Sequence, residues 1–205
     1  MTHLQRLLLT VPAAFLLWFV TFAVRPGNFW LKLSFSAVFL AAFALKPLLD
    51  QREKLLSMRK RFVFVGILSA VLLYAIFWVG REVSTALFPF ASREIGNVYV
   101  TKAALNPAAI GLLLFFIMGP AEEIYWRGFV QETLSGRFGQ MTGVLATSAI
   151  YALIHIFAFN FMLFVAAAVC GLFWGLLYLR EGSLIPVMLS HALWDLMTFV
   201  LFPFN

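Results

Sequence analysis

The chain has 205 residues, 63% of them hydrophobic and 12% charged, with a mean hydropathy of +0.95 and a formal net charge of +6. A water-soluble globule of this length cannot hide so much apolar surface, so lipid must be the solvent for most of it. A single cysteine excludes an internal disulfide and a multi-cysteine zinc site. The positive charge is gathered in one short stretch, which argues for a membrane surface and against nucleic acid.

Taken in chain order, residues 7–24 form a first apolar run behind Arg6. No small-x-small cleavage site follows it, so it reads as a retained signal-anchor helix ending in a turn at Arg25-Pro26-Gly27. Residues 29–49 and 62–80 are the second and third spans. Between them Lys46, Arg52, Lys54, Arg59, Lys60 and Arg61 crowd around one loop. That is the pattern of a cytoplasmic loop, and it also suits anionic lipid. It places the N-terminus inside and predicts a multi-pass protein of the cell membrane, of the prokaryotic inner or plasma type. Residues 81–106 carry Arg81, Glu82, Arg93, Glu94, Asn97 and Lys102 and read as an interfacial or extramembrane segment.

A fourth span begins near Pro107, a favoured first-turn residue, and passes through Glu122 to about Ser135. Gly136-Arg137-Phe138-Gly139 reads as a turn. The fifth span is 140–159, Asn160 begins a tight connection, and the sixth is 161–179. Arg180-Glu181-Gly182-Ser183 turns the chain into a last span at 184–202. The expected fold is all-α: a polytopic membrane bundle of about seven spans plus the interfacial segment. It forms one membrane-embedded domain, 1–205, in which 107–202 carries the chemistry. No internal repeat or low-complexity tract is present. Cys170, in AAAVCGLFWG, reads as a small buried core thiol.

Six ionisable residues fall within or at the ends of these apolar runs: Glu122, Glu123, Arg127, His155, His191 and Asp195. A charge at membrane depth costs roughly 2.5–3.5 kcal/mol on insertion scales, so such groups mark a site by default. Glu123 and Arg127 are four apart and share a helix face, while Glu122 is turned about 100° away. One helix can therefore present Glu122 to a cavity while Glu123 and Arg127 form a supporting pair. Tyr151 stands one turn before His155, and His191 one turn before Asp195. Alone, each pattern has a plainer reading: a solvated helix end, a satisfied core histidine, or a His–Asp bond gluing helices. Together, on three helices, they make the equipment for splitting an amide with water. That equipment is a carboxylate base, an imidazole to share the water and a polar group for an oxyanion. No serine competes, since Ser148 and Ser190 lie in no nucleophile elbow.

The three patterns, Glu122-Glu123-x-x-x-Arg127, Tyr151-x-x-x-His155 and His191-x-x-x-Asp195, resemble those of the CAAX-protease and bacteriocin-processing (CPBP, or Abi) family. The resemblance covers roughly residues 107–200. It implies an intramembrane endopeptidase of the glutamic type. Glu122 would activate the water, His155 would help to hold it, and His191 with residue 195 would face the oxyanion, with Glu123 and Arg127 in support. Tyr151 stands where the family has Phe, adding a hydroxyl near His155. Asp195 stands where Asn is also common. An ionised aspartate cannot donate to an oxyanion, so Asp195 is expected either protonated or accepting from His191.

The resemblance requires no cofactor. A zinc site built from His155, His191, Glu122 and Asp195 is the rival, although no His-Glu-x-x-His helix pre-aligns two ligands. The partners implied are the bilayer and a membrane-associated protein or peptide substrate, with oligomeric state left open. A transporter or a non-enzymatic immunity protein using the same charges is the alternative from another class. Counting helical rise sets Glu122 and His191 in the cytoplasmic half and His155 deeper, so convergence of the three patterns is an assumption of the sequence reading.

Overall fold

A computed structural model describes residues 2–24 and 26–204. Arg25, one residue of the turn expected at 25–27, lies outside them. Seven helices among the described residues are long and apolar enough to cross a membrane. They are α1 (His3–Phe22), α2 (Phe29–Asp50), α3 (Lys60–Leu87), α5 (Pro107–Phe138), α6 (Gln140–Ala158), α7 (Phe161–Glu181) and α8 (Leu184–Leu201). Between α3 and α5 lies the shorter α4 (Ala91–Tyr99), followed by a 3-10 stretch, Val100–Ala104. No strand occurs among the described residues. The chain is an all-α polytopic membrane protein.

The helix starts follow local chemistry. Thr2 and Gln5 form a reciprocal capping box at α1. Asn28, Asn106, Asn160 and Ser183 cap α2, α5, α7 and α8, each accepting a backbone N–H of the first turn. Two expected turns are shorter than the sequence suggests. Helix α5 runs on to Phe138 and reverses at Gly139 alone, where φ is 91°. Helix α7 runs on to Glu181 and breaks at Gly182, where φ is 63°. The expected interfacial segment is also shortened from its front. Arg81 and Glu82 continue α3 to Leu87, pairing with each other at 2.6 Å. Polar residues there mark a helix leaving the lipid and not the end of the helix.

Helix α5 is central, packing against α2, α6 and α8, while α3 lies along α8 and α7 along α6. The basic loop, the turn at Gly139 and the turn at Gly182 share one end of the bundle. There Arg61 pairs with Glu181 at 2.9 Å, and the Ser183 hydroxyl donates to the Leu55 carbonyl at 3.1 Å. At the other end α4 is strapped across the bundle. The Glu94 carboxylate accepts the Met162 N–H at the start of α7 at 3.0 Å, and its carbonyl accepts the Asn160 amide at 2.7 Å. The 3-10 stretch is tied to α2 by Trp30, whose indole donates to the Thr101 carbonyl at 2.9 Å.

The α5–α6 reversal needs a glycine for space. A Cβ at Gly143 would stand 2.1 Å from the Ser135 hydroxyl and 2.6 Å from the Ser135 amide nitrogen, whereas one at nearby Gly136 would meet nothing within 4 Å. Gly143→Ala should therefore lower the thermal unfolding midpoint in detergent, costing about 1–3 kcal/mol from overpacking. Gly136→Ala should be neutral or stabilising by up to about 1 kcal/mol, because it only adds helix propensity.

Candidate active site

The chemistry-bearing side chains come from the middle of α5, the end of α6 and the middle of α8. Two π-helical stretches bracket the acidic pair on α5, at Leu114–Met118 and Trp126–Gln131, and a third, Met197–Leu201, follows Asp195 on α8. Such widened turns re-aim side chains and recur at functional sites. Close approach of α5 to α8 depends on Gly119, where a Cβ would lie 3.0 Å from the Ala192 backbone nitrogen. That places Glu122 and Glu123 beside His191.

Glu123 is fully buried, and two partners share its Oε1. Arg127, also fully buried, donates from Nη1 at 3.0 Å, and His191 Nδ1 lies at 2.7 Å. The second amino group of Arg127 donates to the Gly171 carbonyl at 3.0 Å and reaches the Cys170 carbonyl at 3.5 Å. One turn on, the Gln131 amide donates to the Gly175 carbonyl at 3.0 Å. Helix α5 thus grips α7 by its backbone through two side chains one turn apart. The Arg127 guanidinium also lies over the rings of Tyr151 and Trp174, at 5.3 and 5.7 Å. Trp174 in turn stacks on His191, with centroids 3.8 Å apart and planes 19° apart, and donates its indole N–H to Ser190.

Glu122 faces the other way. The Tyr151 hydroxyl donates to its Oε2 at 2.9 Å. The sequence places this hydroxyl near His155. The structure gives it to Glu122, and it is the Tyr151 carbonyl that accepts from His155 Nδ1, at 2.8 Å. His191 also differs from expectation in its closer partner. Asp195 Oδ2 lies 3.4 Å from Nε2, farther than Glu123 lies from Nδ1.

Five of the seven predicted residues, Glu122, Tyr151, His155, His191 and Asp195, line one cavity of about 540 Å³. Glu123 and Arg127 stand behind its wall. The cavity runs from these side chains toward Arg93, Asn97 and Thr101 on and after α4, at the end of the bundle away from the basic loop. This removes the difficulty over depth. The α-helical part of α6 ends at Ile154, so His155 opens its final 3-10 turn above Tyr151, and the cavity is long enough to touch it and Glu122 together. Cys170 is a buried part of the same wall. Ser148 is spent on the Val144 carbonyl, and Ser190 accepts from Trp174. Among the described residues, no three His, Cys, Asp or Glu side chains come together as a metal-holding group.

Residues 104–197 match the family model described as Type II CAAX prenyl endopeptidase Rce1-like. Over that stretch, a little under half of the chain, the protein is similar to the CAAX-protease (CPBP) family of membrane proteases. No curated protein and no solved structure matches it. The match covers the helices that carry the three patterns and leaves α1 to α4 outside. Two residues beside the histidines have no signature in the sequence. One is Trp174, the face on which His191 rests. The other is Trp18 of α1, whose indole donates to His155 Nε2 at 3.3 Å. Neither had a signal, because a tryptophan in an apolar span reads as lipid-facing or core.

Removing Arg127 would leave Glu123 buried against His191 alone. Arg127→Met, which keeps the apolar volume, should cost about 3–5 kcal/mol. Thermal unfolding in detergent is the measurement, and a midpoint equal to that of the unsubstituted protein would show the pair to be dispensable.

Proposed function

We propose that the chain hydrolyses a peptide bond of a membrane-associated protein or peptide with a water activated by Glu122. The observation that carries this reading is the division of the acidic pair: Glu122 lines the cavity, while Glu123 is sealed between Arg127 and His191. Tyr151 fixes one oxygen of Glu122 and leaves the other for a water. In the proposed step Glu122 takes one proton from that water as its oxygen adds to the substrate carbonyl carbon. The carbonyl oxygen becomes an oxyanion. The C–N bond then breaks, and Glu122 returns the proton to the leaving nitrogen.

His191 supplies the oxyanion donor at Nε2. A ring that gives Nδ1–H to Glu123 and Nε2–H to the oxyanion is an imidazolium, held between two carboxylates and stacked on Trp174. Asp195, whose Oδ2 lies 3.4 Å from the same Nε2, on this reading yields that N–H to the oxyanion, stays beside the ring as a counter-charge and makes no direct contact with the oxyanion. His155 is the second group on the water. These side chains suit proton transfer.

Substrate would arrive through the bilayer. A smaller apolar groove of about 200 Å³, walled by α3, α4, α7 and α8, borders the cavity at Ala166, Trp194 and Phe199. The cavity mouth near Asn97 lies at the far end from Lys46, Arg52, Arg59, Lys60 and Arg61. With that cluster cytoplasmic and the N-terminus inside, the mouth opens on the opposite side of a prokaryotic cell membrane.

In membranes of cells carrying Glu122→Ala, proteomics should find at least one precursor accumulating uncleaved, and cleavage by the purified unsubstituted protein should survive a strong chelator. No accumulating precursor would contradict the hydrolase assignment, and loss of activity in chelator would restore the zinc alternative. For the orientation, an impermeant thiol reagent should label Asn97→Cys in intact cells and leave Met58→Cys, which is 73% exposed, unlabelled. The reverse pattern would invert the topology.

A further inference from the structure

The N-terminal helix lies outside the family match, yet it reaches the catalytic histidine. His155 sits where α6 loosens into a 3-10 turn ending at Phe159, whose φ is 49°. A side chain at such a helix end receives little support from its own element, and a catalytic ring must be held within roughly 0.5 Å and 10–20° of its working geometry. The support comes from elsewhere. Trp18 is fully buried and does not line the cavity, so it acts from behind His155. Its ring meets the imidazole edge to face, with centroids 6.0 Å apart and planes at 75°, and Phe22 of the same helix closes a second side at 5.9 Å.

The polar contacts define the ring further. A neutral imidazole has one donor and one acceptor. Nδ1 faces the Tyr151 carbonyl, which can only accept, so the proton is on Nδ1 and the lone pair is on Nε2. The Trp18 indole N–H can only donate, and it points at that lone pair from 3.3 Å. This is long for such a bond, so the indole keeps the ring turned while engaging the lone pair only weakly and leaving it open to a water of the cavity.

We propose that Trp18 is a positioning residue for His155, which makes α1 part of the catalytic apparatus. This rests on the reading of His155 as a partner of the attacking water. The test uses the full-length protein with ¹⁵N-labelled histidine in detergent, the His155 signals being assigned by their absence in His155→Ala. Two replacements are compared with the unsubstituted protein. Trp18→Phe removes the N–H and part of the ring, and 3-benzothienylalanine at position 18 keeps the shape and removes only the N–H. With the isostere, the Nε2 resonance should move toward that of an imine nitrogen without a hydrogen bond. Cleavage of the precursor that accumulates in Glu122→Ala membranes should slow about tenfold, the scale of a small misplacement of a catalytic group. Trp18→Phe should do the same or more, and if it fails to fold the isostere carries the test alone. An unmoved Nε2 resonance, or cleavage at the unsubstituted rate with the isostere, would reduce Trp18 to packing. If no precursor accumulates in Glu122→Ala membranes, the hydrolase reading fails, and the Nε2 resonance still judges the contact.

Discussion

One oxygen atom, Oε1 of Glu123, organises this site. It holds Arg127 on its own helix and His191 on α8, and through Arg127 it holds the backbone of α7. A lone carboxylate in such a place would be expelled or neutralised. With a guanidinium and an imidazole on one oxygen, and further hydrogen bonds from the guanidinium, the group becomes tolerable and its geometry is fixed. Three helices are thereby set at defined distances in a medium where apolar contact alone does not draw helices together. The neighbouring Glu122 is then turned toward open space by the helical rotation between adjacent residues. Having one carboxylate spent on structure frees the other for the cavity.

The N-terminal half contributes walls and supports around the site. Helix α2 packs on α5 and, through Phe29, Trp30 and Leu33, lines the cavity toward its mouth. Helix α4 lies across that mouth, held by Glu94 at the start of α7. Helix α1 backs His155 with Trp18 and Phe22. A family match confined to residues 104–197 is consistent with such a division, because apolar walls constrain residue type less than paired charges do.

Much of the fold was legible because membrane spans are long and their signal is composition. The number of spans follows from the sequence, and the Asn and Ser caps fall where the apolar runs begin. Charges mislead at α3, where Arg81 and Glu82 read as the end of a span but continue the helix. A helix needs no lipid to continue, and two extra turns stand in the interface. At 136–139 and 180–183 the turn-forming residues read as whole turns, although only Gly139 and Gly182 among them adopt positive φ.

The site was legible as a set of residues and not as a network. The spacing of Glu123 and Arg127 implied their bond because both lie on one helix. The bond of Glu123 to His191 and that of Tyr151 to Glu122 join different helices, so no spacing could announce them. Neither could Trp18, 137 residues from His155 in sequence.

The central claim is that two adjacent glutamates do different work. Purified Glu122→Gln and Glu123→Gln proteins, compared for thermal unfolding and for cleavage of one identified precursor, test it most directly. Glu122→Gln should unfold at the unsubstituted midpoint and cleave nothing. Glu123→Gln, which strands Arg127 without a counter-charge and takes one of two carboxylates from His191, should unfold at a markedly lower temperature. Cleavage retained by Glu122→Gln, or an unfolding midpoint unaffected by Glu123→Gln, would contradict the account.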